Sequence, residues 1–159
     1  MRKSWRMPIR FKTPRVAVRG LILHRNRLLL VNAYAGGVSS LMCLPGGGVD
    51  PGASLPDNLM REVHEETGLT VSVGTPALVN EFHDPDTGFH QVEIVFRCRL
   101  EAGQLDAAWQ DPEAIVTERR WVSRDEMADL YVRPLSLSEL AWGDAAGVAR
   151  YDALETIVR

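Results

Sequence analysis

Acidic residues are missing from the first 49 positions of this 159-residue chain, cysteine is scarce, and long apolar runs are absent. The two cysteines, Cys43 and Cys98, form no CxxC pair, which excludes a disulfide scaffold and predicts a reduced, cytoplasmic protein. The longest apolar run, near residues 28–31, is far shorter than the roughly 20 residues of a membrane helix. We therefore expect no membrane span, and the basic start lacks the apolar segment of a secretory signal.

The charges are divided unevenly along the chain. Nine Lys and Arg residues precede Asp50, whereas the remaining sequence holds nine Arg and all 21 Asp and Glu. This division suits a site that faces an anion on one side and a cation on the other, but a solvated basic arm followed by outward-facing strand residues would also produce it. Because the net charge is −3 and no nucleic-acid reading motif is recognisable, nucleic acid is not the expected partner.

The pattern of apolar residues predicts a basic arm over residues 1–14 and a single domain over residues 15–159. Strand and helix patterns follow one another without a regular rhythm, which predicts an α+β fold with a mixed sheet. We expect residues 45–48 to form an irregular glycine loop and residues 84–88 to form a hairpin loop. The other predicted elements are a hairpin over residues 16–31, strands at 70–81, 90–100 and 118–122, helices after Ser123 and Pro134, and a helical tail at 151–159.

The strongest helix signal begins at Ser54. Ser54 can cap the helix, Pro56 is tolerated in the first turn, and Asp57 occupies the position of a capping-box acid. Gly68 ends the pattern as a C-terminal glycine does. A helix from about residue 55 to residue 67 is therefore predicted.

Three glutamates lie on one side of this helix. Glu62, Glu65 and Glu66 are spaced i, i+3 and i+4, near the negative pole of the helix, where like charges repel each other. A divalent cation held by carboxylate oxygens would turn this repulsion into coordination. The alternative is a solvated acidic face with Arg61 as its counter-charge.

The spacing of these residues from the preceding glycines resembles the Nudix box. That family pattern is G-x5-E-x7-R-E-U-x-E-E-x-G-U, where U is a bulky aliphatic residue. Here Gly47 opens the box and residues 61–69 read REVHEETGL, so that eight of the nine fixed positions match over 23 residues. The exception is Ala53, which stands where the family has its first glutamate. In relatives this glutamate supports the loop and the motif arginine, a role that Asp50 or Asp57 could take over.

The resemblance implies an α/β/α sandwich around a mixed sheet and hydrolysis of a diphosphate linked to a nucleoside, with Mg2+ or Mn2+ as cofactor. Carried over by position, Glu62 and Glu66 are the main metal ligands, Glu65 is a further ligand, and the Gly47 carbonyl completes the shell. Arg61 would orient these glutamates. A homodimer is common among relatives. The alternative function is a nucleotide-sensing domain with weak catalysis, for which Ala53 is the sequence support.

Two further features bear on the substrate and the general base. Gly46 and Gly48 allow the main chain to approach a ligand closely and are predicted to bind substrate. In relatives the general base is either the glutamate that matches Glu62 or an acid of the loop before the last strand. Glu113 and Glu118 occur in that loop here, and Glu118 is the second candidate that the resemblance implies. Pro85 lies where ADP-ribose hydrolases often carry a proline, although a hairpin loop also explains it. The aromatic residues that could stack a base are Tyr34, Phe82, Phe89, Trp109 and Trp121.

Overall fold

The computed structural model describes residues 13–144 and 147–159, which form one mixed sheet with short helices on both faces. The predicted arm over residues 1–14 falls almost wholly outside these residues and stays a prediction. None of the described helices is long and apolar enough to cross a membrane. The strands are β1 (Arg15–His24), β2 (Arg27–Asn32), β3 (Met42–Cys43), β4 (Gly46–Gly48), β5 (Thr70–Asp84), β6 (Phe89–Ala102), β7 (Arg119–Val122), β8 (Arg150–Tyr151) and β9 (Glu155–Thr156). The helices are α1 (Leu55–Thr67), α2 (Arg124–Ala128) and α3 (Leu137–Trp142).

The sheet contains both parallel and antiparallel pairs, as the irregular element order predicted. Its main path runs β3-β2-β1-β6-β5-β8, in which β1 is parallel to β6 and antiparallel to β2. Strand β4 pairs with β1, β7 with β2, and β9 with β5. The α+β class with a mixed sheet is therefore confirmed.

Helices cover opposite faces of the sheet because side chains alternate along each strand. Leu28 and Leu30 of β2 join a buried cluster that includes residues of α2 and α3. Leu29, between them, joins a second cluster with Leu59 and Val63 of α1. The two clusters form the two layers of the predicted α/β/α sandwich and hold α1 firmly against one face.

Helix α1 begins and ends as the sequence predicts. The Ser54 hydroxyl accepts a hydrogen bond from the Asp57 amide at 3.1 Å. Gly68 has a φ of 74°, and its amide donates to the His64 carbonyl at 2.8 Å. The capped helix therefore fixes the direction in which its glutamates point.

Two predictions about local structure are wrong. Residues 46–48 are not irregular but form β4, antiparallel to β1, with Val18 opposite Gly47. A Cβ at Gly46 would lie 2.0 Å from the Val18 carbonyl oxygen, so only glycine allows the two main chains to come this close. The tail is not helical, because β8 and β9 instead pair in parallel with the edge of β5 and satisfy its main-chain groups.

Candidate active site

A cavity of about 340 Å³ lies between β4, α1 and the loop that precedes β7. Acidic and basic side chains share its wall. The residues of the predicted site that line it are Gly46, Gly47, Gly48, Arg61, Glu62 and Glu66. The other charged residues that line it are Arg15, Arg19, Asp50 and Glu113.

Glu66 is held against the glycine strand by a main-chain contact. Its Oε2 accepts a hydrogen bond from the Gly46 amide at 2.9 Å. Burial raises the pKa of Glu66 to about 8, although the positive charge of Arg19 and the Gly46 amide act in the opposite direction. A buried carboxylate of this kind gains from a nearby cation, because the cation stabilises its ionised form.

Glu62 lies one turn earlier on the same face of α1, and its side chain is only 9% exposed. A Cβ built on Gly47 would come within 2.4 Å of Glu62 Oε2, so the carboxylate occupies the space that any other residue would fill. Burial raises the pKa of Glu62, and the adjacent Arg61 guanidinium opposes this shift. Gly47 is therefore a requirement for the position of this carboxylate.

Glu65 is placed differently from the other two glutamates. Both of its carboxylate oxygens accept hydrogen bonds from Arg61 Nη1, at 3.3 and 3.2 Å, and Glu65 does not line the cavity. Its main-chain carbonyl accepts a hydrogen bond from the Trp109 indole at 2.9 Å. The predicted role of Glu65 as a metal ligand therefore stays a prediction.

Arg61 is fixed by a network that lies beside Ala53. Its Nη1 lies 2.9 Å from Glu62 Oε1, and its Nη2 lies 3.1 Å from Asp50 Oδ2. The Asn58 side-chain oxygen also accepts from Arg61 Nη2, at 3.2 Å. Asp50, one of the two residues considered as a substitute for the missing glutamate, therefore does contact the motif arginine.

Asn58 is the residue that ties the loop to the helix, and sequence reasoning missed it. It is 1% exposed, and its oxygen also accepts from the Asp50 amide at 2.9 Å. Its amide group donates to the carbonyls of Ala53 and Ser54, at 3.2 and 2.9 Å. The sequence signal that could have identified it was an asparagine shortly after the helix cap. An asparagine side chain at this position can form hydrogen bonds with the main chain of the preceding loop.

Two arginines of β1 were also missed as site residues. Arg15 and Arg19 are four residues apart in a strand and therefore face the same side. Arg19 Nη1 donates to the Gly46 carbonyl at 2.9 Å, and its Nε donates to Glu93 Oε1 at 2.9 Å. A Cβ on Gly48 would lie 2.6 Å from an Arg15 Nη atom, so this glycine makes room for Arg15. The sequence signal that could have identified them was the cluster of basic residues before Asp50, because some of these side chains line the cavity.

The loop before β7 supplies an acid to the cavity, but this acid is not the predicted Glu118. Glu118 forms an ion pair with Arg120 and is absent from the cavity lining. Glu113 does line the cavity, and its amide is held by Asp111 Oδ1 at 3.0 Å. The geometry therefore favours Glu113 over Glu118 as the acid from this loop.

The oxygen donors of the cavity decide whether it can hold a divalent cation. Within the part of the chain that the structure describes, no three Asp, Glu, His or Cys side chains are grouped so that they could hold a metal ion. Magnesium, however, is usually held by one or two carboxylates together with water and substrate phosphates. Glu62 and Glu66 present two carboxylates to one cavity, beside Gly47. These residues fit Mg2+ or Mn2+ bound together with a phosphate-bearing ligand.

Comparison with known proteins agrees with this geometry. A family model for the NUDIX domain matches residues 13–142. The chain belongs to the Nudix family. The resemblance found in the box is thus confirmed over most of the chain, and the box residues 47–69 run from β4 through α1 to the two residues that follow it.

The Nudix chain is also similar to named relatives. It is 35% identical over 101 residues to an ADP-ribose pyrophosphatase of Methanocaldococcus jannaschii, covering 64% of this chain and 60% of that protein. It therefore spans less than two thirds of that relative's length. Among solved structures, an ADP-ribose pyrophosphatase from Streptococcus suis has a TM-score of 0.63 and 25% identity, over 88% of this chain and all of that one. A UDP-X diphosphatase has a TM-score of 0.66 and 23% identity, over 89% and 68% of the two chains, which supports the fold alone.

Proposed function

We propose that this Nudix protein hydrolyses the diphosphate of a nucleoside diphosphate linked to another moiety, with Mg2+ or Mn2+ as cofactor. The observation that carries the proposal is the cavity in which two carboxylates of α1 stand beside two arginines of β1. Carboxylates favour a divalent cation and arginines favour phosphate oxygens. A metal-bound diphosphate satisfies both groups at once.

Glu62 and Glu66, with the carbonyl of Gly47, would hold the cation. When bound, the cation neutralises phosphate oxygens and lowers the pKa of a water molecule. Arg15 and Arg19 would bind diphosphate oxygens on the other side of the cavity, where Arg19 is already oriented by its bond to Glu93. The site then combines charge neutralisation with positioning, which are the main contributions to phosphoryl transfer.

The reaction adds one water to the diphosphate. The water oxygen bonds to one phosphorus, the bond from that phosphorus to the bridging oxygen breaks, and two monophosphate products leave. A carboxylate takes the proton of the attacking water, and Glu62 and Glu113, two of the four acids that line the cavity, are the candidates for this base. Arg61 would keep the Glu62 carboxylate in position, since the two groups are already paired in the free protein.

The two predicted substrate-binding glycines differ in what they can offer. The amide of Gly46 donates to Glu66, and its carbonyl accepts from Arg19, so both main-chain groups are already engaged. We propose that Gly46 acts by aligning these two side chains, and that Gly48 acts by making room for Arg15. The cytoplasmic location and the homodimer stay predictions.

A panel of substrates tests the proposal. ADP-ribose comes first because the named relatives include ADP-ribose pyrophosphatases. Nucleotide sugars and nucleoside triphosphates follow, each with Mg2+, with Mn2+ and with a chelator. We expect metal-dependent release of a nucleoside monophosphate from at least one compound. Nucleotide binding without turnover of any compound would instead support the nucleotide-sensing alternative.

A further inference from the structure

A second cavity, of about 220 Å³, adjoins the first. Four residues line both cavities, namely Arg15, Arg19, Ala33 and Cys43. A molecule whose diphosphate lies in the first cavity can therefore extend into the second without leaving the protein. The inference below rests on the proposed function, because it concerns the group that is attached to the diphosphate.

Aromatic side chains form part of the wall of the second cavity. Three of the five aromatic residues considered for stacking line it, namely Tyr34, Phe82 and Phe89. The ring centroids of Phe82 and Phe89 lie 6.1 Å apart, and Phe89 remains 37% exposed although it is a large apolar side chain. Trp109 and Trp121 are not part of this wall, because they pack near His64 and His24. Three aromatic side chains around one cavity suit the stacking of a flat heterocycle.

Two buried polar atoms of this wall have no hydrogen-bond partner. Across the described residues, the buried side-chain nitrogen and oxygen atoms in this state are Asn80 Oδ1 and Arg133 Nε, and both residues line the second cavity. Asn80 is anchored by its other atom, since Nδ2 donates to Glu93 Oε2 at 3.3 Å. Glu155 Oε2 lies 3.9 Å from Arg133 Nε, which makes an ion pair but no hydrogen bond. A buried acceptor and a buried donor without hydrogen bonds are both costly, and a ligand edge that offers one donor and one acceptor would satisfy them.

The end of the chain completes the cavity. Residues 155–158 line it, although the match to the Nudix family model ends at residue 142. This C-terminal strap (residues 150–159) is fastened by three contacts: Tyr34 Oη donates to the Val158 carbonyl at 2.9 Å, the Ile157 amide donates to the His83 carbonyl at 2.8 Å, and Arg159 pairs with Asp84 at 3.1 Å. One wall of the cavity therefore comes from a segment outside the matched domain.

We propose that the second cavity binds the nucleobase of the substrate, that Asn80 and Arg133 recognise its hydrogen-bonding edge, and that the C-terminal strap closes the pocket around it. Adenine offers such an edge, with an amino donor beside a ring-nitrogen acceptor. The buried chain of contacts from Asn80 through Glu93 to Arg19 and Gly46 connects this pocket to the diphosphate site. Glu93 also accepts a hydrogen bond from Gln91 Nε2 at 2.8 Å, so we expect the diphosphate site to keep its arrangement when Asn80 is replaced.

Binding of reaction products to the full chain, measured by calorimetry without metal, tests the proposal. Adenosine monophosphate contains the base, and ribose 5-phosphate lacks it. We expect adenosine monophosphate to bind at least about tenfold more tightly, since a stacked base adds substantially to affinity. Asn80→Ala and Phe89→Leu should each remove most of this advantage and leave the affinity for ribose 5-phosphate unchanged. Phe89 is partly exposed, so its variant keeps the test valid if Asn80→Ala fails to fold.

Arg99→Ala is the matched control, because Arg99 lies on β6 and its side chain is 80% exposed. It should bind both compounds as the unaltered protein does. Equal affinity for the two compounds, or variants that weaken both alike, would overturn the proposal. The proposal would also be overturned if Asn80→Ala or Phe89→Leu changed the preference between ADP-ribose and ADP-glucose but kept the preference for the base. That result would place the moiety attached to the diphosphate, and not the base, in the second cavity. If only the proposal for the base pocket is wrong, the protein still hydrolyses a compound of the substrate panel. If the proposed function is wrong, it hydrolyses none of them.

Discussion

Nη2 of Arg61 lies 3.1 Å from Oδ2 of Asp50, so a carboxylate reaches the motif arginine although the usual box position holds Ala53. The Asp50 side chain is 75% exposed and that of Arg61 is 38% exposed. Solvent weakens such an ion pair, and pairs of this type contribute about 0.2–1 kcal/mol. The contact therefore positions Arg61 more than it stabilises the fold.

The first prediction concerns this pair. Asp50→Asn should lower kcat by a few-fold, because Arg61 then holds Glu62 less firmly, and should leave the melting temperature nearly unchanged. Ala53→Glu should keep or raise activity, and should restore activity when combined with Asp50→Asn. Asp57→Asn is the control, since no ion pair joins Arg61 to Asp57 among the described residues. A large loss of activity in Ala53→Glu would show that the pocket is built around a small residue.

The second prediction concerns Glu66. Glu66→Gln should lower turnover by at least about a hundredfold, because one of the two carboxylates proposed to bind the metal is lost. Residues that only hydrogen-bond to a metal ligand already change activity by about ten- to a hundredfold when they are replaced. The fold should be retained, since glutamine can still accept the Gly46 hydrogen bond and a buried charge is removed. Steady-state kinetics and thermal unfolding measure the two effects. A variant that keeps most of its activity would mean that the metal site is misplaced.

The third prediction compares two glycines in paired strands. Gly47→Ala should impair catalysis, since the new Cβ would displace the Glu62 carboxylate that lies 2.4 Å from it. Gly20→Ala is the matched control, because its Cβ would make only ordinary contacts of 3.5–3.6 Å with Ile22 and Cys98. Initial rates under saturating metal compare the two. Equal activity of both variants would show that the position of the Glu62 carboxylate does not require glycine at residue 47.

The fourth prediction concerns the thiols. Burial raises the pKa of both Cys43 and Cys98 to about 12, so each remains a protonated thiol through neutral and mildly alkaline pH. Because the thiolate is the reactive form, neither should be alkylated by iodoacetamide at pH 8 in the folded protein, and both should react in urea. Mass spectrometry counts the labels. Rapid labelling of Cys43 in the folded state would show that the two cavities are more open to reagents than the structure shows.

Much of the fold follows from local patterns in the sequence. The capped helix and the first hairpin depend on neighbouring residues, and the structure has them where the patterns predict. Strand β4 and the strap were mispredicted because both depend on partners far along the chain. Gly46 pairs with Arg19, and Phe82 pairs with Glu155, and no local pattern encodes such pairings.

The site shows the same division. The box spacing identified Gly47, Arg61, Glu62 and Glu66, which the structure brings to one cavity. Arg15 and Arg19 line that cavity only because β1 lies beside β4. This pairing is not visible in the local sequence, which also suits a strand whose arginines face solvent. Asn58 acts through four hydrogen bonds that become visible only when the loop is folded over the helix.

Anomalous diffraction at the manganese edge can show whether Glu62 and Glu66 bind a metal ion, in crystals grown with Mn2+ and a non-hydrolysable analogue of ADP-ribose. We predict a manganese peak at the carboxylates of Glu62 and Glu66, with the diphosphate of the analogue between the metal and the two arginines of β1. A diphosphate bound in the cavity without any manganese at these carboxylates, or manganese bound elsewhere on the chain, would contradict it.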